Sequence, residues 1–181
     1  MVLGPEFSRV FAAARSGAEW AWSALYKDLV GPVKGYFIAR GASEAEDLTS
    51  ETFLQVARDI GSFQGEEQAF RSWVFVIAHR RLVDSWRVAG RRPRSSALVE
   101  EVHEVPAGDT EEEALSRLAT ADVLAAFEKL TEDQRAVLAL RIIGGLSAEE
   151  TAEVLGRRSG AVRALQHRGL LALREILEAG E

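Results

Sequence analysis

LSAEETAEVLGRRSGAVRALQHRGLLALR, residues 146–174, reads as a short helix, a tight turn and a longer helix. Ser147 stands three residues before Glu150, the spacing of a capping box. There the hydroxyl takes the amide of the third helical residue, whose carboxylate reaches back. The pattern predicts a helix over 148–155. Gly156 ends it, and Arg157-Arg158-Ser159 lead into a last helix over 160–178. Ala152, Leu155 and Val162 are small or apolar where the two helices must pack closely. Charge is split between them: Glu149, Glu150 and Glu153 on the first, Arg157, Arg158, Arg163, Arg168 and Arg174 on the turn and the second. This is the helix-turn-helix layout, whose second helix brings basic residues to phosphates and base edges in the major groove. The bland alternative is a helical hairpin with solvated arginines. Caps, turn and charge split together favour DNA binding.

Working back along the chain, Thr131…Gln134 and Thr110…Glu113 repeat the capping box and start helices over 132–143 and 111–129. Gly144-Gly145 turns the chain before residue 146. Residues 95–113 change character, with seven acids and no Lys or Arg, broken by Pro106 and Gly108. They read as a flexible acidic linker. The expected organisation is therefore all-α: a helical domain over 5–94, a linker over 95–112 and a second helical domain over 113–178.

The first domain holds a basic aromatic island. From Arg71 to Arg94 there are seven arginines and one acid, Asp84, and no lysine, in a chain whose net charge is −6. Trp73 and Trp86 fall in the same stretch. A long helix over about 69–88 is expected, with Phe70, Trp73, Val74 and Ile77 as its buried stripe. Arginines neutralise phosphates and aromatic faces stack unpaired bases, so the combination suits single-stranded DNA. For Phe70 and Trp73 alone, core packing is the better reading. Upstream, Phe7, Val10, Phe11 and Ala14 make a short amphipathic helix, and Trp22, Leu25, Tyr26 and Leu29 begin another. Gly31-Pro32 is expected to kink or restart that helix. Ser43…Glu46 reads as a further capping box, opening a helix with an acidic first turn and Phe53, Val56, Ala57 and Ile60 on its apolar face.

Composition narrows the function classes. The chain has 181 residues and no cysteine, so disulfides, thiolate catalysis and cysteine-bound metals are excluded. His79, His103 and His167 lie far apart and match no metal-ligand spacing. No phosphate-cradling glycine loop is present, and neither an enzyme nor a cofactor is expected. No apolar run approaches the ~20 residues of a membrane span, and a cytoplasmic location is expected.

Three segments in this order, AEDLTSETF (45–53), SFQGEEQAFRSWVFVIAHRRLVDSWR (62–87) and LTEDQRAVLALRIIGGLSAEETAEVLGRRSGAVRALQHRGLLALR (130–174), resemble the extracytoplasmic-function (ECF) sigma factors of bacterial RNA polymerase. The resemblance runs from about residue 20 to 177. It implies a non-catalytic factor with sigma regions 2 and 4 only, whose partners are core RNA polymerase, promoter DNA and an anti-sigma factor. It assigns Asp47, Leu48, Glu51 and Phe53 to the core-polymerase contact. It assigns Phe63, Gln64, Phe70, Arg71, Trp73, Arg80, Arg81 and Arg87 to the −10 element and its melted strand. Arg157, Arg158, Ser159, Arg163, His167 and Arg168 fall where the family reads the −35 element. Ser50 stands where many members have Gln, which implies a different core-polymerase contact there, and Ala161, Ala164 and Leu165 replace polar residues of the usual recognition helix, which implies a shifted or weakened −35 preference. The competing reading is a helix-turn-helix regulator that binds duplex DNA as a dimer, which leaves the basic aromatic helix unexplained.

Overall fold

The computed structural model describes residues 3–90 and 123–179. All regular structure among them is helical. After a 3-10 turn at Gly4–Glu6 come α1 (Phe7–Arg15), α2 (Glu19–Ala39), α3 (Ala45–Asp59), a 3-10 turn at Ile60–Ser62, and α4 (Glu67–Val88). The second half has helical residues at 123–128, then α5 (Glu132–Leu138), a π turn at Ala139–Ile143, α6 (Ala148–Leu155) and α7 (Ser159–Glu178). The expected linker, and the capping box at Thr110, lie outside the described residues.

Two local expectations are corrected. Helix α2 runs unbroken through Pro32. A mid-helix proline costs about 3 kcal/mol, but Val33, Tyr36 and Phe37 just beyond it are all fully buried. Each large buried side chain contributes about 1.5–3 kcal/mol, so keeping the helix in phase wins. At α3, Ser43 does not cap. The N-cap is Glu44, with no side-chain cap, and Glu46 pairs with Lys34 of α2 at 2.6 Å. The carboxylate needed for the reciprocal bond is engaged elsewhere. The boxes at Thr131 and Ser147 do form, each with both bonds present.

The two halves share one hydrophobic core. Leu25, Tyr36, Phe37, Phe75 and Leu82 from the first half join Phe127, Leu130, Leu138, Leu140 and Leu146 from the second. The approach is close at two glycines. A Cβ on Gly35 would lie 3.1 Å from Ile143 Cγ2. One on Gly144 would lie 2.6 Å from the Leu140 carbonyl oxygen and 3.2 Å from the Phe75 ring, so the turn before α6 admits only glycine.

A polar network crosses the same seam. Arg40 is only 3% exposed, ion-pairs with Glu132 of α5, donates to Tyr36 Oη at 3.1 Å and lies over the Trp86 ring. Tyr36 Oη in turn meets His79 Nδ1 at 2.9 Å. Burial, and then the Arg40 charge, hold the His79 imidazole down to about 4. An unfolded histidine takes its proton near pH 6.5. Between those values the unfolded chain binds more protons, so falling pH favours unfolding. The contribution of neutral His79 is complete above pH 6.5 and is lost as pH falls toward about 4. Urea midpoints at pH 7 and pH 5 should therefore differ more for the parent chain than for His79→Gln, because every carboxylate is common to both. Equal differences would assign the acid sensitivity to other groups.

Candidate nucleic-acid interface

Helix α4 divides its arginines into two kinds. Arg80 and Arg87 are exposed, and with His79, Val83 and Asp84 they line one depression. Arg87 is held only by an exposed i,i+3 pair with Asp84 at 3.1 Å, an interaction worth little in water. Arg71 and Arg81 are half-buried and already engaged. Arg71 bonds Asp28 Oδ2 at 3.2 Å and the Gly144 carbonyl at 3.3 Å. Arg81 donates to Gln55 Oε1 at 2.9 Å and faces Glu51 at 3.6 Å. One pair of arginines is thus free to meet an outside anion, and the other ties α4 to its neighbours.

The loop before α4 is built on an aromatic cluster. Phe63 and Phe70 are buried, with ring centroids 5.3 Å apart, and Trp73, half-buried, lies 5.2 Å from Phe63. Gln64, Gly65 and Glu66 form the exposed rim of the loop. Of the residues assigned to this surface from sequence, Gln64, Arg80 and Arg87 are exposed, Arg71, Trp73 and Arg81 are half-buried, and Phe63 and Phe70 lie underneath.

On α3, Asp47 and Glu51 are exposed while Leu48 and Phe53 are buried. Phe53 packs edge-on against Tyr26, centroids 4.7 Å apart. Tyr26, read from sequence as part of a buried stripe, is 44% exposed, because α2 turns that edge outward. Leu54, which no motif singled out and which follows Phe53 on α3, is 58% exposed. Helix α3 thus presents two carboxylates and a large apolar group to solvent, and no group of potential ligands that could hold a metal occurs among the described residues.

In the second half, α6 and α7 meet across Gly156, whose φ is +61°. Val162 is fully buried and forms a small second cluster with Val137, Ala148 and Ala152. Ala161 and Ala164 face outward, whereas Leu165 packs against this cluster. Its replacement of a polar residue is therefore partly a packing matter. Arg158, His167 and Arg168 are exposed. Arg157 pairs with Asp133 at 2.5 Å, Arg163 pairs with Glu149, and Ser159, half-buried, opens α7. Arg141, unnoticed in the sequence, fixes the helix from behind: it bonds Gln166 Oε1 at 2.9 Å and the Leu146 carbonyl.

Among the described residues, which are all-α, one segment is a helix-turn-helix with exposed cations and another is a cationic helix preceded by an aromatic loop. Residues 22–92 match Sigma-70 region 2, and residues 120–173 match Sigma-70, region 4. The chain belongs to the ECF RNA polymerase sigma factors. The ECF RNA polymerase sigma factor BldN of Streptomyces coelicolor is 34% identical over 167 residues, which cover 91% of this chain and 63% of that protein. The ECF RNA polymerase sigma factor ShbA of Streptomyces griseus is 38% identical over 136 residues, covering 74% of this chain and 71% of the relative. The chain thus spans a little under two thirds of BldN. The solved sigma factor RpoE, in complex with the anti-sigma factor NepR from Bartonella quintana, shares the fold, with a TM-score of 0.65 over 88% of this chain and 98% of that one at 22% identity. No helix among the described residues is long and apolar enough to cross a membrane.

Proposed function

We propose that this chain directs core RNA polymerase to specific promoters and assists their melting. One observation carries the reading: two cationic surfaces of different design stand on one chain, each within the segment that matches its sigma region. Region 4 grips duplex DNA at the −35 element through Arg157, Arg158, Ser159, Arg163, His167 and Arg168. The outward Ala161 and Ala164 supply methyl groups rather than donors, which suits contact with thymine methyls and shifts the preferred sequence. Region 2 holds the melted −10 strand with Arg80 and Arg87 on α4, and its loop rim at Gln64 faces the flipped base. Extruding a base costs a few kcal/mol, offset by pocket contacts and by the polymerase. Asp47 and Glu51, with exposed Leu54 beside them, are the core-polymerase contact, and buried Leu48 and Phe53 support it from inside.

The chemistry of RNA synthesis belongs to the core enzyme, and no side chain here is asked for a catalytic step. Work on core polymerase implies a cytoplasmic protein. An anti-sigma factor is the natural regulator, by analogy with the RpoE–NepR complex.

Runoff transcription with core polymerase on a promoter library tests the reading. Transcripts from a defined subset of promoters, absent without this chain, are expected. Binding of the free chain as a dimer to palindromic duplex, with no effect on core polymerase, would instead establish the dimeric regulator.

A further inference from the structure

Residues 3–15 lie ahead of the segment that matches region 2, which begins at residue 22. They nevertheless grip the loop before α4 at both ends and from beneath. At its start, Arg15 Nη2 donates to the Gly61 carbonyl at 2.9 Å. At its end, the Glu67 carboxylate accepts the backbone amides of Leu3 at 2.6 Å and Gly4 at 2.9 Å, one on each oxygen. Beneath it, Phe11 packs edge-on against Phe63 at 5.5 Å and Phe70 at 5.4 Å, and Phe7 adds a contact with Phe70 at 5.7 Å. The loop backbone presses in turn on Phe63: a Cβ on Gly65 would lie 3.0 Å from Phe63 Cζ, and Gly65 sits at φ +152°. A physical chain thus runs from α1 through Phe11 and Phe63 to the exposed rim at Gln64.

We propose that residues 3–15 are a positioning element for the −10 reading loop, with Glu67 and Phe11 as its two anchors. The proposal rests on the sigma-factor reading above. A pocket that must take a base out of its stack works only if its walls are already in place, because ordering them at the moment of binding subtracts from affinity. The loop itself has few means of holding its shape. Its rim residues 64–66 are exposed, and only Phe63 among its apolar side chains reaches the core. The strap supplies the missing constraint: Phe11 is buried and both Glu67 carboxylate oxygens are taken by the amides of Leu3 and Gly4.

The test uses holoenzyme made with core polymerase and a randomised single-stranded oligonucleotide pool, from which the parent chain selects its −10 sequence. Affinities for the selected and a scrambled sequence are then measured for Glu67→Ala, Glu67→Gln, Phe11→Ala and Phe11→Leu, together with affinity for core polymerase. Loosening the loop should lower affinity for the selected strand about tenfold and bring the two sequences within about twofold of each other. Core affinity should stay unchanged in the same variants. Glu67→Gln keeps one acceptor oxygen and the side-chain volume, and Phe11→Leu keeps apolar bulk, so both should recover part of the preference. Simple loss of folded protein would lower core binding in proportion and leave the preference intact. Unaltered preference in the Ala variants, or in Glu67→Gln and Phe11→Leu should the Ala variants not fold, overturns the proposal. A parent holoenzyme that selects no sequence from the pool would overturn the sigma-factor reading instead.

Discussion

A chain carrying Gly35→Cys with Ile143→Cys should drive promoter-dependent transcription when reduced and lose at least tenfold of it when oxidised. The chain contains no cysteine of its own, so the engineered pair has no competitor. The 3.1 Å between a Cβ on Gly35 and Ile143 Cγ2 puts the two side chains near disulfide reach, which needs Cβ atoms about 3.5–4.5 Å apart. Gly35 is inside α2 at ordinary helical φ, where a cysteine is tolerated. The expected loss follows from distances. The −10 and −35 elements are separated by about 25 base pairs, or about 85 Å at roughly 3.4 Å per pair. A compact chain of this length has a radius of gyration of about 16 Å. Halves joined as described, with Arg40 paired to Glu132 and Leu140 in the common core, do not reach both elements at once. On the function proposed above the seam opens on the promoter, and a covalent bridge prevents that. Gly35→Cys alone is the control. Undiminished transcription by the verified crosslinked form would show that the halves work without separating.

The second large effect concerns α4. Arg80→Glu with Arg87→Glu should reduce open-complex formation at least tenfold while core-polymerase affinity stays within about twofold. Each phosphate contact to a single strand contributes about 0.7 to the slope of log affinity against log salt. Losing two should flatten the slope by about 1.4. A salt titration of open-complex formation measures this directly, and an unchanged slope would remove these arginines from the strand-binding surface. Reversing Arg81 instead of Arg87 is a poorer experiment, because Arg81 also holds Gln55 and Glu51 on α3. Its loss would disturb the polymerase-facing helix and confuse the two functions.

That choice illustrates what the sequence carried and what it did not. Periodicity and capping boxes were enough to place α6 at 148–155, because local hydrogen bonds set those ends. They failed at Ser43, where a lysine from a different helix captured the carboxylate the motif required. They failed again at Pro32, where burial of Val33, Tyr36 and Phe37 outweighed a local penalty. The basic island was legible as charge, but not as two populations of arginine. Which side chain is free depends on partners such as Asp28, Gly144 and Gln55, distant in the chain or on other elements. Arg40 escaped notice for the same reason. Its partner Glu132 lies 92 positions away, and no short-range pattern announces a buried arginine. The close packing of Gly144 against Phe75 was equally invisible, since the glycine pair reads simply as a turn.

The 92-residue gap between Arg40 and Glu132 also has a consequence during synthesis. Ribosomes add about 5–20 residues per second, so Glu132 follows Arg40 into the growing chain after roughly 5–18 s. Helix formation and collapse take microseconds. The first half therefore has ample time to fold around Leu25, Phe37, Phe75 and Leu82 while the face around Arg40 is still bare. A wholly apolar face left open that long would invite aggregation. This one carries Arg40, Arg71 and Gln68 among its apolar groups, each of which water can satisfy until the second half arrives. The mixed chemistry of the seam thus protects the nascent chain as well as joining the finished one.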